Sequence, residues 1–498
     1  MKLASVILDI PTQALDAPYT YAVPEEAGDQ PIEVGCAVLV PFGPRQAVGF
    51  IIGIEERAEG DWPAGLDPAK LKGIVRAVSR PYFDEEGAAC AQWLSERYIA
   101  PLSSCVRLFT PPGGVPRMVR AQGGYWRLEE PTVGEVDDRW VVPGPALADF
   151  EPRKNAVKQA SIAAALERGE LRVAELTAEF GAVSSPLKAL EKQGVVRIEH
   201  RRRMRGMAEG SAGSAPSADS AAVPSFTPSP KPPLTRGQAD ALAAIDAARS
   251  RGAGEVVLVD GVTGSGKTEV YLQAIEETLA AGRTACVLVP EISLTPQTVA
   301  RFRGRFGDLV AVMHSRMSQG ERYDQWDFIR SGAARVVVGA RSALFTPLSN
   351  LGLIVIDEEH EGSYKQDSAP RYHARDVAVW MARRAGAAVV LGSATPSIEA
   401  LHACAKNPSW HQVSLPERAN GKPLPEVQVV DMAKEFSGGS RSMFALPLAR
   451  ALEEELAAGR KAVLLLNQRG FAKFLLCREC GFVPECPSCS TSLTDRKS

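Results

Sequence analysis

The second half of the chain repeats one pattern, in which short apolar runs alternate with stretches of helical periodicity. The runs that follow Leu234 are EVVLVD, ACVLVP, VVVGA, LIVIDEE and AAVVLGSAT. Near-continuous apolar strands separated by helices are typical of a parallel sheet that is covered on both faces. We therefore predict an α/β lobe over residues 234–420.

The first 112 residues show a different pattern, which predicts a β-rich domain. Short runs of β-branched and aromatic residues, ASVILDI, CAVLVPF and AVGFIIGI, stand between proline and glycine signals. A helix is predicted next, over DEEGAACAQWLSERYIA, and TPPGGVP then interrupts the chain. We place the end of this domain at residue 112.

Helical periodicity returns in residues 113–205. NAVKQASIAAALERG and RVAELTAEFG are amphipathic and end in glycine, and VSSPLKALEKQGVVRIEHRRRMR predicts a third helix followed by a strand. Three short helices with a hairpin are the winged-helix pattern, and an unspecified small helical domain is the alternative. The basic RRRMR run fits a DNA-contacting wing, although a solvated basic surface is the more common explanation.

The segment 206–233 is rich in alanine, serine, proline and glycine. Such a composition cannot bury a core, so a flexible linker is predicted here. Together with the length of 498 residues, which is too great for one hydrophobic core, this linker indicates a multidomain protein.

Net charge and hydropathy exclude few classes of protein. The formal net charge of −2 argues neither for nor against nucleic acid, because a basic groove can exist in a balanced total. The sequence contains no run of eighteen or more apolar residues and no cleavage site of the signal-peptide kind near its N-terminus. We therefore expect a cytoplasmic protein with no membrane contact.

The strongest chemical signal is a phosphate-binding loop. GVTGSGKT matches G-x-x-x-x-G-K-[ST] and has a strand before it and a helix after it, which is the context this motif requires. Glycines let the backbone N–H groups point at phosphates, the lysine reaches the β and γ phosphates, and the threonine ligates Mg²⁺. The residues expected to hold the nucleotide are Gly261, Thr263, Gly264, Ser265, Gly266, Lys267 and Thr268.

A second apolar strand ends in acidic residues about ninety positions later. In LIVIDEEH, Asp357 and Glu358 lie at the carboxyl end of the strand, which is where ligands bind in open parallel sheets. Asp357 is the candidate magnesium ligand, and Glu358 is the candidate base that orients the attacking water. The alternative is a solvated acidic cluster. In the following GSATPS, Ser393 and Thr395 are expected at the mouth of the site, linking the γ-phosphate to a bound polymer, and the alternative is a simple turn.

These motifs carry a family resemblance. GVTGSGKT, DEEH and GSATPS occur in the order found in superfamily 2 helicases, and LVPEISLTPQ, GARSALFTP, EEHEGSYKQDSAPRYHARDVA and LLLNQRGFAKFLLCRECGF are more particular. Together they resemble the primosomal protein N′ (PriA) family of replication-restart helicases. The resemblance implies RecA-like lobes and an ATP-dependent 3′–5′ DNA helicase that recognises stalled or abandoned forks and initiates primosome assembly. It implies as partners branched or forked DNA, single-stranded DNA, primosome proteins and the single-stranded DNA-binding protein.

The same resemblance implies DNA contacts on the lobe. Arg341 would face phosphates, and the aromatic-rich loop SYKQDSAPRYHARD would couple hydrolysis to single-stranded DNA. In that loop the rings of Tyr364 and Tyr372 would stack on bases, with ordinary packing as the alternative. The cationic residues implied to meet the DNA backbone are Lys365, Arg371 and Arg375. Gln238 would lie against adenine.

In the N-terminal domain the resemblance implies capture of a 3′-terminal nucleotide by Tyr19, Gly43 and Lys72. One departure affects this expectation, because Thr20 stands where the family pattern has an aspartate. A threonine hydroxyl can accept a hydrogen bond from a terminal hydroxyl, but without the charge that strengthens such a bond. A second departure is Gln468, where an arginine is usual.

Four of the nine cysteines form two CxxC pairs near the end of the sequence. Pairs in a cytosolic protein favour zinc over disulfides, although five residues between them is short for a ribbon that binds one zinc. The resemblance implies two zinc ions, each with half of its ligands within this sequence. We expect residues 421–476 to begin a second lobe and residues 477–498 to form part of a zinc-binding region. Because half of the clamp around ATP is then absent, we expect weak ATP binding, poor hydrolysis and negligible stimulation by DNA. The expected zinc ligands are Cys477, Cys480, Cys486 and Cys489.

Two functions remain open from the sequence. The first is a DNA motor of the kind just described, and the second is a fork-DNA-binding scaffold without motor activity. Substitution of Lys267 separates them, because a motor loses unwinding while a scaffold keeps its activity. A P-loop kinase or transporter ATPase is disfavoured, because DEEH, GSATPS and the aromatic-rich loop have no role in those enzymes.

Overall fold

The structure is a computed structural model. It describes residues 1–10, 16–24, 30–58, 67–121, 124–153, 155–205, 231–423, 425–437 and 442–465. The chain divides into two compact units, residues 1–423 and 424–498. Among the described residues, no helix is both long and apolar enough to cross a lipid bilayer.

The N-terminal domain is built on an antiparallel sheet, as its β-rich pattern predicts. In the described residues its strand order is β2-β1-β4-β3-β5, and helices α1 and α2 follow it. Ile7 and Phe50 face Leu94 of α1 in one hydrophobic cluster, while Val6 lies in a second cluster on the opposite face. The elements are β1 (Lys2–Leu8), β2 (Tyr19–Ala22), β3 (Ala37–Phe42), β4 (Arg45–Glu56), β5 (Arg76–Ala77), α1 (Glu85–Tyr98) and α2 (Leu102–Val106).

The next region begins with a β6–β7 hairpin and continues as three helices packed on a small sheet of order β10-β8-β9. The helices occupy the segments in which helical periodicity predicts them. Ile162, Leu176 and Leu190, one from each helix, are fully buried in a common core. The elements are β6 (Arg117–Arg120), β7 (Trp126–Glu129), β8 (Asp137–Pro143), α3 (Val157–Leu166), β9 (Leu171–Arg172), α4 (Val173–Phe180), α5 (Ser184–Lys192) and β10 (Val196–Arg202).

The predicted parallel sheet is confirmed in residues 234–420. Every strand pair in it is parallel, and the described strands follow the order β13-β14-β12-β15-β16-β11-β17. Its elements are α6 (Arg236–Arg251), β11 (Val256–Gly261), α7 (Lys267–Ala280), β12 (Thr284–Leu288), α8 (Pro296–Phe306), β13 (Val310–Met313), α9 (Gln319–Arg330), β14 (Val336–Gly339), β15 (Leu351–Asp357), α10 (Ala374–Ala385), β16 (Ala388–Ser393), α11 (Ile398–Lys406) and β17 (Trp410–Leu415).

The strand order brings the predicted motifs together. β16 lies between β15 and β11, so the acidic strand end, the GSATPS turn and the phosphate loop leave adjacent strands at one edge. In the ladders, Asp357 is level with Gly392, and Asp260 is level with Ser393. The three motifs are therefore neighbours although more than 130 positions separate the first from the last in sequence.

The arginine run at the end of β10 packs against the lobe. Asp324 of α9 is fully buried and receives Nε and Nη2 of Arg205 at 2.7 and 2.9 Å and Nη2 of Arg202 at 3.2 Å. Arg201 pairs with Glu170 at 2.6 Å. Carboxylates thus neutralise these three arginines, so they form neither a free DNA-contacting wing nor a solvated basic run. Arg203 differs from them, because its side chain is 56% exposed to solvent.

The described part of the second unit contains α12 (Met432–Ser437) and α13 (Leu446–Ala457). The Glu435 carboxylate accepts a hydrogen bond from the N–H of Leu446 at the start of α13, at 2.9 Å. Gln468 and the region predicted for zinc lie outside the described residues.

Candidate active site

The phosphate loop connects β11 to α7. Gly264 and Gly266 both have φ near +83°, a left-handed conformation that side chains disfavour. A Cβ at Gly266 would lie 2.3 Å from Nε2 of Gln238, so this position has no room for a side chain. The glycines of the motif are therefore required by backbone geometry and by close packing.

Lys267 lies at the centre of the loop. Its side chain is buried, and its Nζ donates a hydrogen bond to the carbonyl oxygen of Gly261 at 2.6 Å. The ammonium group is thus held over the loop by a neutral acceptor, which leaves its positive charge available to an anionic ligand.

Gln238 braces the loop from the first turn of α6. Its Nε2 donates to the carbonyl of Ser265 at 2.8 Å, and its Oε1 accepts from the N–H of Thr235 at 2.9 Å. The side chain is 4% exposed. The resemblance implies that Gln238 lies against adenine, and the structure adds a contact with the loop itself. The pattern T-x-x-Q at the helix start signals only the capping contact with Thr235.

A cleft of about 640 Å³ contains the predicted residues together. One wall is formed by the loop from Thr263 through Thr268, and Asp357 and Glu358 stand on the other. Arg301 and Arg305 of α8 complete the lining, and sequence reasoning did not identify them. The expectation that the acidic strand end lies beside the phosphate loop is met.

The two acidic residues differ in environment. Burial, followed by the nearby charge of Glu358, raises the pKa of Asp357, which also accepts a hydrogen bond from the Tyr271 hydroxyl at 3.1 Å. Glu358 has φ of 47°, an unfavourable conformation that proteins retain chiefly at functional sites. Two adjacent carboxylates in a cleft fit a divalent cation, because the cation would offset both the burial and the mutual repulsion.

The next two residues, Glu359 and His360, bond the acidic strand end to α10 and to the GSATPS turn. Glu359 is 2% exposed and accepts hydrogen bonds from Arg375 at 3.3 Å and from the Ser397 hydroxyl at 3.0 Å. His360 Nδ1 lies 2.7 Å from the Ser393 hydroxyl. Arg375 is therefore an internal ion-pair partner, which corrects the expectation that it contacts DNA.

Ser393 is fully buried, so it lies behind the site and not at its mouth. Its hydroxyl also accepts from the N–H of Thr395 at 3.0 Å, which makes the GSATPS turn continuous with His360. This contact joins the ends of β15 and β16 through a histidine that sequence reasoning did not single out. The expected link from the γ-phosphate to a bound polymer stays a prediction.

The aromatic-rich loop is arranged differently from the expectation. Tyr364 and Tyr372 are each 1% exposed. The Tyr364 hydroxyl donates to carbonyls of the neighbouring strand ends, and the Tyr372 ring packs edge-on against Phe345 at 5.0 Å. Neither ring has a free face in this structure, so packing replaces base stacking as their described role.

The three other cations of this region are held by carbonyl oxygens. Arg341 donates to the carbonyls of Ser363 and Lys365 at 2.7 and 3.2 Å, Lys365 donates to the carbonyl of Arg371, and Arg371 donates to that of Asp367 at 3.0 Å. Carbonyls fix these side chains without neutralising them. These three side chains therefore keep their positive charges, which binding of a phosphate backbone requires.

The residues predicted for 3′-end capture lie on the N-terminal sheet. The half-buried Tyr19 ring packs against Phe42 at 5.6 Å, and Gly43, the next residue after Phe42, is exposed with open space around it. Lys72 is exposed, and its carbonyl accepts from the N–H of Ala22 at the end of β2. Tyr19 and Gly43 are thus both neighbours of Phe42. Lys72 bonds to the opposite end of β2, the strand that begins with Tyr19.

Comparison with known proteins agrees with both halves of this description. Residues 235–403 match the DEAD/DEAH box helicase family, and residues 5–111 match the family described as 3′DNA-binding domain (3′BD). The replication restart protein PriA of Bacillus subtilis is 36% identical to the chain over an alignment that covers 99% of it. The chain belongs to the PriA family. The PriA proteins of Synechocystis and Haemophilus influenzae are 35% and 33% identical, again over 99% of the chain.

The chain spans 66%, 64% and 62% of the lengths of these three PriA proteins. Within the described residues, no group of three or more His, Cys, Asp or Glu side chains could hold a metal ion. The four cysteines predicted to bind zinc lie outside those residues.

Proposed function

We propose that this protein acts as an ATP-dependent 3′–5′ DNA helicase of replication restart. It would recognise stalled or abandoned forks and initiate primosome assembly, which reloads the replicative helicase. The observation that carries the proposal is the single cleft in which Lys267 and Thr268 face Asp357 and Glu358. Membership of the PriA family and the match to a 3′DNA-binding domain support DNA as the substrate.

In this proposal each group in the cleft has a defined task. Lys267 exchanges its carbonyl partner for the β and γ phosphates of ATP, and the loop N–H groups and the start of α7 bind phosphate oxygens. Thr268 and Asp357 would hold Mg²⁺, which would neutralise the negative charge that develops on the phosphates. Glu358 orients the attacking water, and Gln238 contacts the adenine edge while it braces the loop.

The DNA-binding parts are proposed on the same basis. We assign a 3′-end-binding domain to residues 1–112, with Tyr19, Gly43 and Lys72 as its pocket, and a winged helix to residues 113–205. Residues 234–420 form the ATP-binding lobe. The cations proposed to meet the DNA backbone on this lobe are Arg341, Lys365 and Arg371, which keep their charge in the structure.

Three further assignments rest on sequence and family resemblance. The spacing of Cys477, Cys480, Cys486 and Cys489 supports zinc binding, and metal analysis of the purified protein tests it. Primosome proteins and the single-stranded DNA-binding protein are the proposed protein partners. A fork-binding role agrees with a cytoplasmic location.

Lys267→Ala tests the central proposal, with Lys406→Ala, an exposed lysine of α11, as the matched control. We expect Lys267→Ala to abolish magnesium-dependent binding of a fluorescent ATP analogue, while binding of a forked duplex remains. The control should behave as wild type. Equal nucleotide binding by wild type and Lys267→Ala would overturn the motor and leave the fork-binding scaffold.

A further inference from the structure

Tyr271 lies on α7 one turn after the phosphate loop. It follows Lys267 by four residues and Thr268 by three, so it neighbours both of them on the helix surface. The Tyr271 side chain is 1% exposed and belongs to the hydrophobic cluster that packs α7 against the sheet. Its ring is therefore held in place, and it is not one of the residues that line the nucleotide cleft.

The buried hydroxyl of Tyr271 bonds to the carboxylate of Asp357. The hydroxyl oxygen lies 3.1 Å from Oδ1, and because an ionised carboxylate only accepts, the tyrosine is the donor. In the described part of the chain, no other side chain hydrogen-bonds to this carboxylate. Phenylalanine would fill the same apolar space, so this bond accounts for the hydroxyl, whose burial without a partner would be costly.

Gly392, the first residue of GSATPS, provides the space that this hydroxyl occupies. Gly392 pairs with Asp357 in the β15–β16 ladder, and a Cβ at this position would lie 1.5 Å from the Tyr271 hydroxyl oxygen. A side chain here would therefore push the hydroxyl away from Asp357. The helix of the phosphate loop, the acidic strand end and the GSATPS turn thus meet at one hydroxyl group.

We infer that Tyr271 is a positioning residue for magnesium binding, because its hydroxyl holds the Asp357 carboxylate in one orientation. A carboxylate that is bonded at one oxygen no longer turns freely, so its other oxygen also keeps one direction. Asp357 lines the same cleft as Thr268. Helix α7 thus sets both proposed magnesium ligands, Thr268 from its own first turn and Asp357 through Tyr271. The inference rests on the proposed function, in which these two residues hold magnesium.

The experiment compares wild type with Tyr271→Phe, which removes the hydroxyl and keeps the ring. The affinity of the whole chain for a fluorescent ATP analogue is measured by anisotropy in saturating Mg²⁺ and again in EDTA. By linkage, the ratio of these two affinities reports how tightly the nucleotide complex holds magnesium. We expect Tyr271→Phe to lower the ratio about tenfold, since groups that orient a metal ligand typically contribute about 10–100-fold to metal affinity. The affinity in EDTA should stay at the wild-type value, because Tyr271 does not line the cleft.

Tyr82→Phe is the matched control, because the Tyr82 hydroxyl is also buried and donates to the carbonyl of Gly114 at 3.1 Å, outside the cleft. This variant should keep the wild-type ratio. Gly392→Ala displaces the Tyr271 hydroxyl from the other side and should lower the ratio as well, which covers the case in which Tyr271→Phe fails to fold, as thermal melting detects. In an Asp357→Asn background, Tyr271→Phe should cause no further loss, because it acts through that carboxylate.

Failure of the inference differs from failure of the proposed function. If magnesium raises the affinity of Tyr271→Phe as much as that of wild type, the inference is overturned while the proposed function stands. An equal loss of affinity in EDTA and in magnesium also overturns it, because Tyr271 then supports the loop as a whole and not the metal ligand. If magnesium does not raise the affinity of wild type, the inference and the proposed function fall together.

Discussion

The hydroxyl of Tyr98 lies 3.2 Å from Oδ2 of Asp376 and accepts a hydrogen bond from the N–H of His373 at the same distance. The pair joins the last turn of α1, in the N-terminal domain, to the first turn of α10 in the lobe. The adjacent Arg375 holds Glu359 of the acidic strand end. The N-terminal domain therefore contacts the helix that positions one wall of the nucleotide cleft.

Tyr98→Phe should lower stability by about 1 kcal/mol, because it removes both hydrogen bonds from a partly buried site while keeping the ring. Urea unfolding followed by fluorescence measures the change. Tyr125→Phe is the control, since that ring is 63% exposed and should tolerate the loss of its hydroxyl. An unchanged midpoint for Tyr98→Phe would show that this contact contributes nothing to stability.

Arg205→Met should destabilise the protein by on the order of 3 kcal/mol, because it leaves the fully buried Asp324 short of its main cation. Arg203→Met is the matched control, since Arg203 is exposed and its carboxylate neighbour Asp138 is 3.7 Å away. The midpoint of chemical denaturation compares the two variants. Equal effects for both would contradict an anchoring role for the Arg205–Asp324 pair.

Asp357→Asn should abolish magnesium-dependent nucleotide binding and yet raise the melting temperature of the ligand-free protein at neutral pH. The folded pKa of Asp357 lies above its ordinary value of 3.8, so ionisation opposes folding. The destabilisation by wild-type Asp357 is complete at neutral pH and declines as pH falls through the folded pKa. Asparagine can still accept the hydrogen bond from Tyr271.

Differential scanning fluorimetry in neutral and acidic buffers checks this prediction. Asp308→Asn, at an exposed position, should leave the melting temperature unchanged. A variant that melts below wild type at neutral pH would refute the account of Asp357.

Gly392→Ala should cost about 1–3 kcal/mol, because its Cβ would lie 1.5 Å from the Tyr271 hydroxyl oxygen. The displaced hydroxyl would also release Asp357, so magnesium-dependent nucleotide affinity should fall. Gly134→Ala, which meets no heavy atom within 4 Å, is the control. Adding Tyr271→Phe to Gly392→Ala should restore part of the lost stability, and no recovery would argue against this clash.

Ile99→Gly should stabilise the protein by about 0.5–1 kcal/mol, since a β-branched residue with φ of 49° is strained and glycine is not. The side chain is 93% exposed, so its removal sacrifices no packing. Ile99→Ala keeps the strain and should change little. Thermal unfolding compares the three proteins, and a glycine variant less stable than wild type would point to a contact made by the isoleucine.

Sequence pattern predicts most of the sheet, because β11, β12, β14, β15 and β16 are buried on both faces and are therefore apolar almost throughout. It also predicts the phosphate loop and the acidic strand end, since both are local motifs whose position after a strand decides their exposure. The order of the strands is not predictable in this way, because apolar runs carry no information on pairing.

Contacts between distant segments are where sequence reasoning fails. The resemblance implies that the Tyr364 ring is open to bases, but its hydroxyl donates to carbonyls at two strand ends and the ring is buried. The basic run that contains Arg205 suggests a solvent-facing patch, but a carboxylate 119 positions away neutralises it. In both cases the partner becomes visible only when the fold brings it close.

The bond between Lys267 and the Gly261 carbonyl affects how nucleotide recognition should register in a calorimeter. A ligand phosphate must replace that carbonyl, so the heat released reflects the difference between two hydrogen bonds instead of the gain of one. The measured enthalpy should therefore be smaller than the number of phosphate contacts suggests. In return, the ammonium group is already in place, and little side-chain entropy is lost when the triphosphate arrives.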